Sequence, residues 1–244
     1  MMSTPPALRA YYRALLRAWG PQHWWPAATT FEVVVGAFLT QNTAWGNVER
    51  ALANLRRARL LSVAGIRRVP PARLQRLIRP AGYFRQKARR LKTFVAWLDA
   101  RYQGSLARMF SRPTAELRAE LLALNGVGPE TADSILLYAG GHSVFVVDAY
   151  TRRILERHRI LPFNAPYDRI RESFEGALRG ATEPGRMGRA PRHPASAMSS
   201  AEFSPVARRY NEMHALLVAV GHQYCHKSEA RCEHCPLAPF LPRR

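Results

Sequence analysis

Leu124-Asn125-Gly126-Val127-Gly128-Pro129-Glu130-Thr131-Ala132 is the stretch on which the reading of this chain turns. Glycines on both sides of Val127 remove Cβ atoms from the path of an approaching group and permit a left-handed backbone. Pro129 suits the first position of a helix, where exposed backbone N–H groups face an anion. Upstream, residues 113–124, opened by Pro113 and Thr114, repeat apolar positions at helical spacing, so a helix is expected on each side of the turn. Downstream, an acid follows a short apolar run in Val146-Val147-Asp148-Ala149-Tyr150. A phosphate-sized cradle with a carboxylate nearby points to chemistry on a nucleic acid.

The charge balance agrees. In 244 residues there are 37 Lys and Arg against 17 Asp and Glu, a formal net charge of +20. Such a surplus favours a polyanionic partner through counterion release. Arginine enrichment from a GC-rich genome is the bland explanation for part of it. The cations nevertheless cluster, at Arg50, Arg56, Arg57, Arg59, Arg67 and Arg68 and again at Arg85, Lys87, Arg89, Arg90 and Lys92. Only Lys87, Lys92 and Lys227 are lysines. Arginine stays protonated and is no amine nucleophile, so a lysine Schiff-base mechanism has three positions to draw on. No apolar run reaches the ~18 residues of a membrane span, and Met1–Arg9 lacks a signal-peptide core. A cytoplasmic, nucleoid-associated location is the expectation.

The periodicity predicts an all-α fold. Phe31, Val33, Val34, Val35, Phe38 and Leu39 suit a buried helix over 31–39, with a short strand at 33–35 as the alternative. Over 84–100, Phe84, Ala88, Leu91, Phe94 and Leu98 share a face opposite basic residues. Further helices are expected over 129–139 and 206–223. Residues 181–205, rich in Ala, Pro, Ser, Gly and Arg, read as a flexible insertion with little apolar surface to bury. Its Arg186, Arg189 and Arg192 are either DNA contacts or simply solvated.

Over roughly residues 28–240 the chain resembles the endonuclease III superfamily of helix-hairpin-helix DNA glycosylases. Gly126, Val127 and Gly128 match the hairpin turn that holds DNA. Glu130 stands where bifunctional members carry the lysine that attacks the sugar and drives strand elimination. Glutamate forms no iminium, so the resemblance implies monofunctional, water-dependent base excision. Members similar to 3-methyladenine DNA glycosylase III show the same replacement, and Pro129-Glu130-Thr131-Ala132-Asp133 resembles their turn. This leans the substrate toward an alkylated purine rather than an oxidised pyrimidine. Glu130 is alternatively no more than an acid suited to a helix N-terminus.

Three further residues match family positions. Gln41, in Leu39-Thr40-Gln41-Asn42-Thr43, matches the glutamine that fills the gap left by an extruded base; an amide bonding to a helix end is the alternative. Tyr83, in Gly82-Tyr83-Phe84-Arg85-Gln86-Lys87-Ala88, falls where an apolar residue enters the base stack, or else is a core aromatic at a helix start. Asp148 matches the aspartate at the glycosidic carbon, where a carboxylate stabilises an oxocarbenium ion and deprotonates water. It also suits a helix N-cap, and both roles are compatible. His214, on the late helix, reads as a hydrogen-bonded core histidine.

Cys225, Cys232 and Cys235 are spaced Cys-x6-Cys-x2-Cys, which argues for metal rather than disulfides. The spacing matches the first three ligands of the family's iron–sulfur loop, Cys-x6-Cys-x2-Cys-x5-Cys, but the fourth position holds Leu241. A [4Fe-4S] cluster with a non-cysteine fourth ligand (His222, His226 and His234 being local candidates), zinc on three cysteines and a histidine, and no metal all stay open. Lys227 and Arg231 in this loop are expected to meet DNA.

The resemblance implies two helical domains, 24–134 with the hairpin and 1–23 plus 135–244 with Asp148 and the cysteine loop, around a central cleft for the base. It implies a monomer acting on double-stranded DNA that contains a damaged base. The rival functions are a bifunctional glycosylase and AP lyase, and a catalytically impaired DNA-binding protein.

Overall fold

The structure, a computed structural model, describes residues 4–181 and 195–242. Among them the regular elements are helical, and the sole extended pairing is an isolated bridge between Cys225 and Ala230. The helices are α1 (Thr4–Trp19), α2 (Thr30–Thr40), α3 (Trp45–Arg57), α4 (Val63–Arg68), α5 (Pro71–Leu77), α6 (Phe84–Tyr102), α7 (Leu106–Phe110), α8 (Thr114–Leu122), α9 (Pro129–Ser134), α10 (Ala149–Arg157), α11 (Tyr167–Leu178) and α12 (Pro205–Gln223). They fall into two compact units, one of residues 27–140 and one of residues 1–26 with 141–244.

In the 27–140 unit, α2 is the central element. It packs on α3, on α6 and on a wide helical turn, Ile135–Ala139, that continues α9. The Val33–Val35 triplet is helical and fully buried. Its β-branched side chains yield to burial on all sides, which leaves no polar edge for a strand. Thr29 caps α2 by accepting from Glu32 N–H at 3.2 Å. The buried Glu32 carboxylate in turn accepts from Ala28 N–H at 3.1 Å and pairs with Arg56 of α3. The apolar face of α6 enters the core as its periodicity predicts, through Ala88, Leu91, Phe94 and Leu98.

In the other unit, α1 packs on α11 and α10 on α12. Phe145 stacks on Phe174 with ring centroids 4.2 Å apart, which fixes the segment before Asp148 against α11. Within the 181–205 insertion, residues 182–194 lie outside the described residues, and Arg186, Arg189 and Arg192 with them. The part that follows is packed, contrary to its composition. Met198 is buried, Ser196 Oγ donates to the Trp25 carbonyl at 3.0 Å, and Phe203 covers Gly141. A single methionine and a phenylalanine anchor this stretch, which a composition average hides.

Candidate active site

The hairpin is formed by α8, the turn 123–128 and α9. Gly126 has a φ of +83°, which favours glycine, and a Cβ there would fall 2.8 Å from Arg90 Cζ and displace that side chain. Gly128 differs: its φ is −94°, and a Cβ would stand in open space. Between them Val127 is buried and plugs the turn into the core. Arg118 of α8 donates to the fully buried Asp133 of α9 through Nε at 2.7 Å and Nη2 at 3.2 Å. This two-pronged pair ties the hairpin helices together. Glu130 lies in the first turn of α9 on the exposed side.

Gln41, just past α2, reaches this turn. Its Nε2 donates to Gly126 O at 3.0 Å and to Thr131 Oγ1 at 2.9 Å, and its Oε1 accepts from Arg90 of α6. In this conformation the amide is bonded within the protein. Tyr83 is the opposite case. It precedes α6 in a left-handed conformation, φ 43° and ψ 30°, after Gly82 at φ 65°, and is 65% exposed. It is therefore no core aromatic. A non-glycine residue there carries strain of about 1–3 kcal/mol, a cost that recurs at functional sites.

Lys87 stood out in the sequence as one of three lysines, with nothing to show where it sits. It is 1% exposed, and its Nζ donates to Leu39 O at 2.8 Å, Thr43 Oγ1 at 2.6 Å and Ala81 O at 2.8 Å. It thereby joins the end of α2, the loop after it and the turn before Tyr83. Burial, with help from the Arg90 charge, lowers its pKa to about 8, so the amine is still mostly protonated at neutral pH.

Asp148 is the N-cap of α10. Its Oδ1 accepts from Thr151 N–H at 2.7 Å, while Oδ2 stands 3.6 Å from His214 Nε2 of α12. Burial by itself would raise this carboxyl. His214 and the Thr151 N–H outweigh it and hold the pKa below the ordinary aspartate value. The group is thus a buried carboxylate that stays ionised. His214, buried as expected of a core residue, turns out to face the acid as well. Two residues beyond Asp148, the Tyr150 ring lies over Gly221, where a Cβ would fall 2.8 Å from Tyr150 Cβ; its hydroxyl is 3.2 Å from His222 Nε2.

The cysteine loop closes the chain. Cys225 is buried and Cys232 and Cys235 half-buried, and the three line one small pocket with Leu241, His158, Arg157 and Tyr224. Arg157 Nη1 donates to Cys225 Sγ at 3.1 Å. Among the described residues, no three His, Cys, Asp or Glu side chains gather closely enough to hold a metal ion. As a metal centre the expected trio is therefore incomplete. The thiols stand around a shared pocket, and the fourth side of that pocket is an aliphatic side chain. His158 is held by the Tyr11 hydroxyl at 2.7 Å from Nδ1 and by a bond to the Phe240 backbone, and His222 Nε2 lies 3.2 Å from the Tyr150 hydroxyl. Lys227 and Arg231 are exposed.

Known proteins place this assembly. Residues 35–179 match the model of the HhH-GPD superfamily of base excision DNA repair proteins. A protein of Methanocaldococcus jannaschii named for DNA repair glycosylase activity is 43% identical over 231 residues, 94% of this chain and 93% of its own length. The chain belongs to the HhH-GPD superfamily. It is a DNA glycosylase of that superfamily. Mouse endonuclease III-like protein 1 is 28% identical over 86% of this chain, which spans 59% of the mouse protein. Among solved structures, Helicobacter pylori 3-methyladenine DNA glycosylase (MagIII) bound to 1,N6-ethenoadenine is 27% identical, with a TM-score of 0.71 over 91% of this chain and 98% of that one. A non-covalent endonuclease III–DNA complex superposes with a TM-score of 0.75 at 19% identity, over 99% of this chain and 96% of that one, and so speaks to the fold. The all-α hairpin architecture expected from the sequence is that of the superfamily. No helix of the described residues is long and apolar enough to cross a membrane.

Proposed function

We propose that this glycosylase excises an alkylated purine from double-stranded DNA by hydrolysis, without a lyase step. Asp148 carries the reading: a buried carboxylate held ionised by its neighbours suits the stabilisation of an oxocarbenium ion. As the N-glycosidic bond breaks, the base leaves with the bonding electrons. Water adds to the anomeric carbon, and Asp148 takes its proton. A positively charged alkylated base is already a good leaving group, so no covalent catalyst is needed. Similarity to the H. pylori enzyme supports the alkylated class. Glu130 offers no amine, and Lys87 is engaged three times over.

On DNA, the open face at Gly128, the exposed Tyr83 and the cations Lys227 and Arg231 are the contacts we assign, with Gln41 as the residue that fills the vacated stack. The chain would act as a monomer, in the cytoplasm at the nucleoid. For the cysteine loop we infer a [4Fe-4S] cluster held by Cys225, Cys232 and Cys235 with no cysteine at the fourth corner. The Arg157 N–H on Cys225 sulfur supports it, because such donors stabilise thiolate ligands. Its part is to shape the loop, and no step of the hydrolysis passes through it.

The decisive experiment incubates the protein with methylated duplex DNA, identifies released bases by mass spectrometry, and treats a parallel sample containing abasic DNA with borohydride. Free alkylated base with no trapped protein–DNA adduct is expected. An adduct mapped to Lys87, Lys92, Lys227 or the terminal amine establishes the lyase instead. Binding without any release establishes the impaired DNA-binding protein.

A further inference from the structure

Gln41 and Arg90 form a closed arrangement whose use is not explained by holding the hairpin alone. Both amide hydrogens of Gln41 and its carbonyl oxygen are engaged, one with Gly126 of the turn, one with Thr131 of α9 and one with Arg90. The side chain expected to enter DNA is therefore folded back onto the turn expected to meet the DNA backbone. Arg90 comes from a different helix and from no motif. Its guanidinium covers Gly126 and is half-exposed. Among the described residues its hydrogen-bonding partner is the neutral Gln41 oxygen, and it forms no ion pair. One helical turn earlier on α6 sits the buried Lys87, so two cations share this end of the helix, and the Arg90 charge helps to depress the Lys87 pKa. An anion arriving here relieves that repulsion.

We propose that Arg90 is a positioning residue that latches Gln41 in the DNA-free protein and releases it when a backbone phosphate takes its place on the guanidinium. The exchange is favourable because phosphate pairs its own charge with the guanidinium and can accept two parallel bonds from it, where the amide oxygen is neutral and takes one. Binding of the backbone thereby frees the residue that fills the stack, and base extrusion waits for contact with DNA. The inference rests on the reading of this protein as acting on duplex DNA.

The test uses the full chain, an undamaged duplex of about a dozen base pairs, which covers one helical turn, and the variants Arg90→Gln and Arg90→Lys. Affinity is measured across salt concentrations, and the side-chain amide signals of Gln41 are followed by nuclear magnetic resonance, assigned by their loss in Gln41→Leu. In the wild type, duplex should shift the Gln41 signals toward those of a free glutamine amide. Arg90→Gln should make the slope of log affinity against log salt shallower by about 0.9, one phosphate contact, and Arg90→Lys should restore it. In free Arg90→Gln the Gln41 signals should move part of the way toward the released position, since the bonds to Gly126 O and Thr131 Oγ1 do not involve Arg90. An unchanged slope, or Gln41 signals that do not respond to saturating duplex, overturns the latch while leaving the glycosylase reading intact. A wild type that does not bind duplex overturns both. Should Arg90→Gln fail to fold, the wild-type signals and the slope of Arg90→Met, which also lacks the charge, still decide.

Discussion

The hairpin turn and the cysteine loop are both short family motifs in which this chain departs at a single position, yet they stand differently. In the hairpin the departure is Glu130, on the exposed side of α9. The turn is braced from elsewhere: by Gln41, by Arg90 and by the Arg118–Asp133 pair. In the cysteine loop the departure is Leu241, which lies in the wall of the pocket that the three thiols share. The first replacement alters the chemistry on offer and leaves the scaffold alone. The second removes a donor from the group that would organise the loop. A motif position thus tolerates change in proportion to how much of its geometry is supplied by residues outside the motif.

The largest test separates chemistry from scaffold at Asp148. Asp148→Asn should lower single-turnover base release on the order of 10²-fold or more. Asparagine caps helices as well as aspartate does, so affinity and melting temperature should change little. A variant that melts much earlier yet excises normally would reduce Asp148 to its cap. The same residue sets a pH dependence. Its folded pKa lies below the unfolded value of about 3.9, so its contribution to stability is present above that pH and is lost on acidification through the lower folded value. Any stability gap between wild type and Asp148→Asn at neutral pH should therefore narrow in acid melts as the pH falls below the unfolded value.

Next in size is the cysteine loop. Anaerobically purified protein should be brown and contain iron and sulfide, Cys232→Ser should lose colour and soluble yield, and Leu241→Cys should hold iron longer in air. Equal loss from wild type and Leu241→Cys would show that the fourth corner is not the weak point, and one zinc per chain would replace the cluster altogether.

The hairpin offers a smaller, sharper contrast. Gly126→Ala should destabilise the protein by about 1–3 kcal/mol in denaturant melts, through its positive φ and the clash with Arg90. Gly128→Ala should leave the melt unchanged and weaken binding to duplex, since the added methyl meets nothing in the protein. Equal behaviour of the two alanines would mean that the open face at Gly128 is not where DNA comes. The gentlest effect is that of salt on the exposed cations: removing Lys227 or Arg231 should each reduce the slope of log affinity by about one.

Much of this was legible in the sequence because the motif residues sit close together along the chain. The hairpin, the acid and the helices α2, α6, α8 and α12 announce themselves by spacing and period. What was not legible depends on contacts across long separations. The Gln41 to Gly126 bond spans 85 positions, and the Asp148–His214 pair joins helices 66 positions apart by their numbering. The exposure of Tyr83 followed from a left-handed turn that Gly82 hints at but does not dictate. Met198 shows the limit of composition, since one buried side chain anchors a stretch whose average is polar.

Lys87 gives the arginine bias a second meaning. Three acceptors from three segments converge on one compact ammonium, which offers three donors in a tetrahedral spray. A planar guanidinium is larger and points its donors in a plane, so arginine cannot take the same place. In a chain that writes nearly every cation as arginine, this buried lysine marks a place where the shape of the side chain decides.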